Sequence, residues 1–137
     1  MERISPYARK YHKEVFWKDW FDEQCQAIID SVDVRMRDSL SRHAYDTVTG
    51  QDERHGHNVN FTDFCRALNL IKNDGESYVF ECVADRKNVF KCVVRAPYDD
   101  YSDISIVFVD GRIISVWLNN LDDVHTTLDP NKYEQRL

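Results

Sequence analysis

Two stretches of this chain gather side chains that move protons and bind anions. The first, Ser41 to His57 (SRHAYDTVTGQDERHGH), carries His43, Arg54, His55 and His57. The second, Trp117 to Asp129 (WLNNLDDVHTTLD), carries Asn119, His125 and Thr127. Imidazole exchanges protons near neutrality because its unperturbed pKa is about 6.5. Guanidinium forks donate two hydrogen bonds to the oxygens of one phosphate. Together such groups suit metal-free cleavage of RNA. A base takes the 2′-hydroxyl proton, a cation meets the charge building on phosphorus, and an acid protonates the departing 5′ oxygen. We assign His43 and His125 to the acid/base pair, with Arg54 and Arg95 on the phosphate. His55, Asn119 and Thr127 would contact and orient substrate. Arg95 ends a strand-like run and joins this set if that strand end faces the same rim.

Each choice has a plainer reading. His43 precedes Ala44 in a helix-like stretch and suits a structural hydrogen bond. His125 suits a turn cap in its Asp/Thr-rich surroundings, and His55 suits simple solvation. Arg95 has Asp99, Asp100 and Asp103 close in sequence as ion-pair partners. His12 lies in the first helical pattern, where we expect no polar partner for it, and stays outside the site. His55 and His57, joined by His43 or by Asp122 or Asp123, would offer ligands to zinc. H-x-H beside a glycine is a weak signal, however, and we expect neither a metal nor any other cofactor. No G-x-S-x-G elbow and no phosphate-cradling glycine loop is present.

The order S-x-H-A, then E-R-H, a short helix, strands bearing V-V-R, and finally I-I-S-V-W resembles small toxin-like domains. These belong to the barnase–EndoU–colicin–RelE superfamily of metal-independent ribonucleases, which includes phage-borne members. The resemblance spans residues 35 to 133. It implies an RNA-cleaving toxin that leaves a 2′,3′-cyclic phosphate. Where the family pattern often carries an arginine after the first histidine, Tyr45-Asp46-Thr47 stand here.

The elements that must position these residues follow from periodicity and turn chemistry. Ser5-Pro6 is a helix-start signal, and apolar residues from Tyr7 to Ile29 recur at helical spacing, so residues 1–31 read as a long aromatic helix. Residues 32–76 form a helical and loop segment. Val32 to Leu40 suits either a strand or a helix, and a helix with Phe61, Phe64, Cys65, Leu68 and Ile71 on its apolar face follows. Residues 77–118 alternate as strands. Asp85-Arg86-Lys87 turns the first pair, and Asp110-Gly111 suggests a type I′ hairpin in the second. A polar tail occupies 119–137. The expected fold is α+β, with N-terminal helices on an antiparallel sheet of four strands or slightly more.

Composition sets outer bounds. One domain accounts for 137 residues, and 42% hydrophobic residues supply a core. No apolar run approaches the roughly 20 residues that span a bilayer, and the first residues lack a signal core. We expect a soluble, cytoplasmic protein. Cys25, Cys65, Cys82 and Cys92 form no C-x-x-C pair and read as reduced core residues, although Cys82 and Cys92 can approach across a hairpin. The net charge of −6 opposes general nucleic-acid affinity and requires any RNA site to concentrate its cations. That charge, Tyr45-Asp46 and the surplus aromatics Phe16, Trp17 and Trp20 carry a competing expectation. It is a non-catalytic inhibitor, phage- or bacterium-encoded, that binds a host enzyme.

Overall fold

The computed structural model describes residues 5–50, 59–74, 77–122 and 128–135. Strand β1 (Ala8–His12) precedes helices α1 (Phe21–Asp30), α2 (Arg42–Val48) and α3 (Phe61–Asn69), the last continued by a π-helical turn at Leu70–Asp74. Strands β2 (Tyr78–Asp85), β3 (Asn88–Pro97), β4 (Ser102–Val109) and β5 (Arg112–Asn120) follow. All five strands make one antiparallel sheet in the order β1-β2-β3-β4-β5. The fold is therefore α+β, and the sheet is one strand larger than four. Among the described residues no helix is long and apolar enough to cross a membrane.

Strand alternation gives the sheet two different faces. One carries Cys82, Cys92, Val94, Ala96, Ile104, Ile106, Phe108 and Val116, and it packs against all three helices through Phe21, Ile28, Ala44, Val48, Phe64 and Leu68. Helix α2 is fixed to β5 by its own cap. The Ser41 hydroxyl accepts from Ala44 N at 3.1 Å and donates to Ile114 O at 2.9 Å. Asn60 caps α3 in the same way, accepting from Asp63 N at 2.8 Å. The other face holds a smaller apolar cluster of Phe80, Val93 and Val107, joined by Ile114 and Trp117.

The first segment departs from expectation. Instead of one helix over 1–31, the chain forms β1, a turn-rich stretch and a helix starting at Phe21. Ser5 opens a turn, its carbonyl accepting from Ala8 N at 3.1 Å. The spacing of Tyr7, Tyr11 and Val15 imitates a helix, but β2 offers an unpaired edge, and Ala8 to His12 pair with Asp85 to Glu81 along it. Phe16, at a positive φ of 61, then bars a continuous helix. The stretch before α2 is neither a regular strand nor a helix. It is turns ending in a single bridge from Leu40 to Ile113. The Asp110-Gly111 hairpin forms, yet only Gly111 takes positive φ, at 74, so the turn is not type I′. Strand β5 also runs through Asn119 and Asn120, which places Asn119 in the sheet rather than in a tail.

All four cysteines are free thiols. Cys82 and Cys92 are direct cross-strand partners, and Cys25 is buried beside them. Hydrogen bonding to Cys25 and then burial push the Cys82 and Cys92 thiols up, which keeps both protonated and poorly nucleophilic.

Beyond β5 the chain reaches the opposite edge of the sheet. Glu134 N donates to Lys10 O, and the buried Tyr133 hydroxyl donates to Glu81 Oε1 at 3.0 Å. Lys10 Nζ lies 3.2 Å from the other oxygen of Glu81. Burial, followed by the Glu81 charge, pushes the Tyr133 phenol well above its ordinary 10.0. The folded state thus holds this proton more tightly than the unfolded state does. The associated stability is complete below pH 10.0 and is lost as pH rises beyond it. Urea midpoints should fall more steeply above that pH in the wild type than in Tyr133→Phe, and superimposable pH profiles would refute the assignment.

Candidate functional site

The face of the sheet turned away from the helices carries a pocket of about 150 Å³ lined by His12, Lys13, Glu14, Tyr78, Phe80 and Arg95. Local irregularities build it. Val79 pairs with Val94 but Glu81 pairs with Val93, so Phe80 is an extra residue in β2. That bulge puts Phe80 in the apolar cluster on this face. Beyond β1, Lys13 N donates to Phe80 O at 2.8 Å, and His12 and Val15 exchange backbone hydrogen bonds. The exchange closes a tight turn that presents Lys13 and Glu14 at the mouth, both exposed.

His12 is 3% exposed. Its Nδ1 accepts from Glu14 N at 3.1 Å, which fixes the tautomer: a backbone N–H cannot accept, so a neutral imidazole here carries its proton on Nε2. The ring packs edge-on against Phe80 and Tyr133, with centroids at 6.0 and 5.4 Å. Arg95 is 2% exposed. Its Nε donates to Asp103 Oδ2 at 3.1 Å, and its Nη2 donates to Asn120 O at 2.9 Å. The guanidinium stands 5.7 Å from the centre of the Phe80 ring. Half-exposed Tyr78 pairs with Arg95 across the strands, and burial raises its phenol. Lys13 Nζ bonds Asp22 at 2.7 Å and lies 4.9 Å from the Trp17 ring.

The residues singled out in the sequence distribute unevenly over this frame. Arg95 and Asn119 come together: Ser105, the cross-strand neighbour of Arg95, donates from its hydroxyl to Asn119 Oδ1. Arg95 forms an ion pair with Asp103, one of the three aspartates close to it in sequence. His43 is exposed on α2, which packs on the helix-bearing face through Ala44 and Val48. The sheet thus stands between His43 and Arg95, and these two do not share a cleft. Arg54, His55, His125 and Thr127 lie outside the described residues. So does His57 of the H-x-H pair, and among the described residues no group of three or more His, Cys, Asp and Glu is placed to hold a metal ion.

His12, Lys13, Glu14 and Tyr78 were not anticipated. The available signal was Lys10 and His12 two residues apart, on one face of a strand. Reading the segment as a helix scattered them. No family model, curated protein or solved structure matches this chain.

Proposed function

We propose that the protein is a metal-independent, toxin-like endoribonuclease acting in the cytoplasm, and that the pocket on the open face of the sheet is its site. The reading is carried by the meeting there of Glu14, His12, Lys13, Arg95 and Tyr78. It keeps the reaction implied by the resemblance to the barnase–EndoU–colicin–RelE superfamily but relocates the reactive groups, of which His12, Lys13 and Glu14 lie outside the residues that carry that resemblance. The Glu14 carboxylate takes the proton of the 2′-hydroxyl, whose oxygen attacks phosphorus. His12, a donor through Nε2–H, and the cations of Lys13 and Arg95 stabilise the charge on the phosphate oxygens. The bond to the 5′ oxygen breaks, and Tyr78 supplies the proton that oxygen takes, leaving a 2′,3′-cyclic phosphate. Arg95 is held by Asp103, so it contributes from a fixed position, whereas the Lys13 ammonium leaves Asp22 to meet substrate.

The test is cleavage of total RNA by the purified protein in EDTA, with the 2′,3′-cyclic end read by its resistance to direct ligation. Wild type should cleave, Glu14→Gln and Lys13→Ala should cleave far more slowly, and His43→Ala should cleave normally. RNA left intact by the wild type would overturn the reading.

A second reading, a non-catalytic protein that binds and inhibits a host enzyme, is favoured by the residues before α1. Phe16 is 44% exposed and Trp20 36% exposed, while Trp17 packs against Phe21 with ring centroids 5.2 Å apart. Inert RNA together with one stoichiometric partner, lost on Phe16→Ala or Trp20→Ala, would support this reading instead.

A further inference from the structure

His12, which lines the pocket proposed for cleavage, is backed by a residue from outside the sheet. Tyr133 packs against the imidazole from the segment that follows β5 and returns to the β1 edge. It is 2% exposed, as buried as the core under the helices, although it stands among turns and bends. Burying a phenol there requires specific partners, and they are present. The hydroxyl donates to Glu81 Oε1 at 3.0 Å, and Lys10 Nζ stands 5.9 Å from the ring centre. Glu81 holds Lys10 with its second oxygen, and Glu134 N donates to Lys10 O, so the segment is tied down on both sides of the ring.

The anchored ring forms one jaw of a clamp. Tyr133 meets the His12 ring at 62° and Phe80 meets it at 64°, both edge-on. Between them the imidazole keeps Nδ1 on Glu14 N, at 3.1 Å. That hydrogen bond selects the tautomer only while the ring holds this rotation. A half-turn of the imidazole would exchange Nδ1 for a carbon and lose the bond. Glu14 N by itself is a single neutral donor on a tight turn, and Phe80 restrains the ring from one direction. The second restraint comes from Tyr133.

We infer that Tyr133 is a positioning residue for His12: its ring, anchored on Glu81, holds the imidazole in the orientation that leaves the proton on Nε2. Only the kinetic consequence rests on the cleavage reading, because the orientation of the ring is a property of the folded chain. Tyr133 need not meet substrate to govern turnover, since misplacing a reactive group by about 1 Å can cost about a hundredfold in rate.

NMR of isotope-labelled histidine rings, at a pH that leaves the imidazoles neutral, reports the tautomer directly. The His12 signals are assigned by their absence from His12→Asn, and thermal melts set a temperature at which every variant is folded. Wild type and Tyr133→Phe, which keeps the ring, should show one His12 form with its proton on Nε2. Tyr133→Leu should show a mixture with the Nδ1–H form, and its kcat on RNA should fall by about tenfold or more with KM little changed. Val48→Ala, a cavity cut in the core under α2, controls for general loosening and should leave the His12 signals as in wild type. An unaltered tautomer in Tyr133→Leu would overturn the inference. So would equal changes in Val48→Ala, loss of the single form in Tyr133→Phe, or a Tyr133→Leu protein that cleaves at the wild-type kcat. RNA left intact by the wild type, with the ring signals behaving as expected, would remove the cleavage reading and support the positioning of His12.

Discussion

A Glu14→Gln protein is expected to fold as the wild type does and to cleave RNA about 10²–10⁴-fold more slowly, the usual worth of a positioned general base. Glu14 is exposed at the end of the turn after β1, and its structural duty is carried by its backbone N–H, which bonds His12 Nδ1. Replacing the carboxylate by an amide leaves that bond intact and removes only the proton acceptor. Exposed substitutions of this kind change stability by about 0.5 kcal/mol or less. The informative comparison is with His43→Ala. If His43 were the base, its loss would be the damaging one; with the sheet between it and Arg95, its removal should leave the rate unchanged. Single-turnover cleavage of a short RNA at saturating enzyme measures both. Equal rates for Glu14→Gln and wild type, or a collapse in His43→Ala, would exclude the pocket as the reactive site.

Asp103→Ala should destabilise the fold by about 3–5 kcal/mol, because it breaks a buried ion pair by removing one of its members. The Arg95 side chain is 1% exposed and that of Asp103 13%, so water reaches the pair poorly. Urea unfolding should show the loss as a lower midpoint at unchanged slope. Converting both residues, Arg95→Met with Asp103→Leu, should recover most of the stability, since the cost lies in breaking a buried pair rather than in lacking one. A single variant as stable as wild type would mean that the Arg95–Asp103 pair does not stabilise the fold in solution. The fixed position of Arg95 would then have to be abandoned.

The parts of the fold legible in the sequence are those specified by neighbours in the chain. Residues 102–120 are two apolar, largely β-branched runs around Asp110-Gly111, and both hairpins form where the turn residues place them. Helix α3 shows its buried Phe64, Ala67 and Leu68 on one stripe, behind an Asn60 cap. Strand β1 was not legible because its cause lies far away, in the edge of β2. Nothing in Tyr7, Tyr11 and Val15 distinguishes a helical stripe from a strand followed by a turn. The site suffered from the same error. Arg95, Asp103 and Asn119 could be read as a group because they sit on successive strands of a meander. His12 could not, since its neighbours Phe80 and Tyr133 reach it only through tertiary pairing.

The pairing of Ala8 with Asp85 also has a kinetic side. During synthesis β1 leaves the ribosome long before the strand that will accept it, and three helices are made in between. Contacts this distant in sequence slow folding, because chain entropy is surrendered before they form. The nascent chain thus carries an early segment with unpaired amides and aromatic side chains, which is open to chaperone capture or to pairing with another molecule. Since His12 and the Lys13–Glu14 turn belong to that segment, the pocket stays unassembled until the distant partner strand arrives.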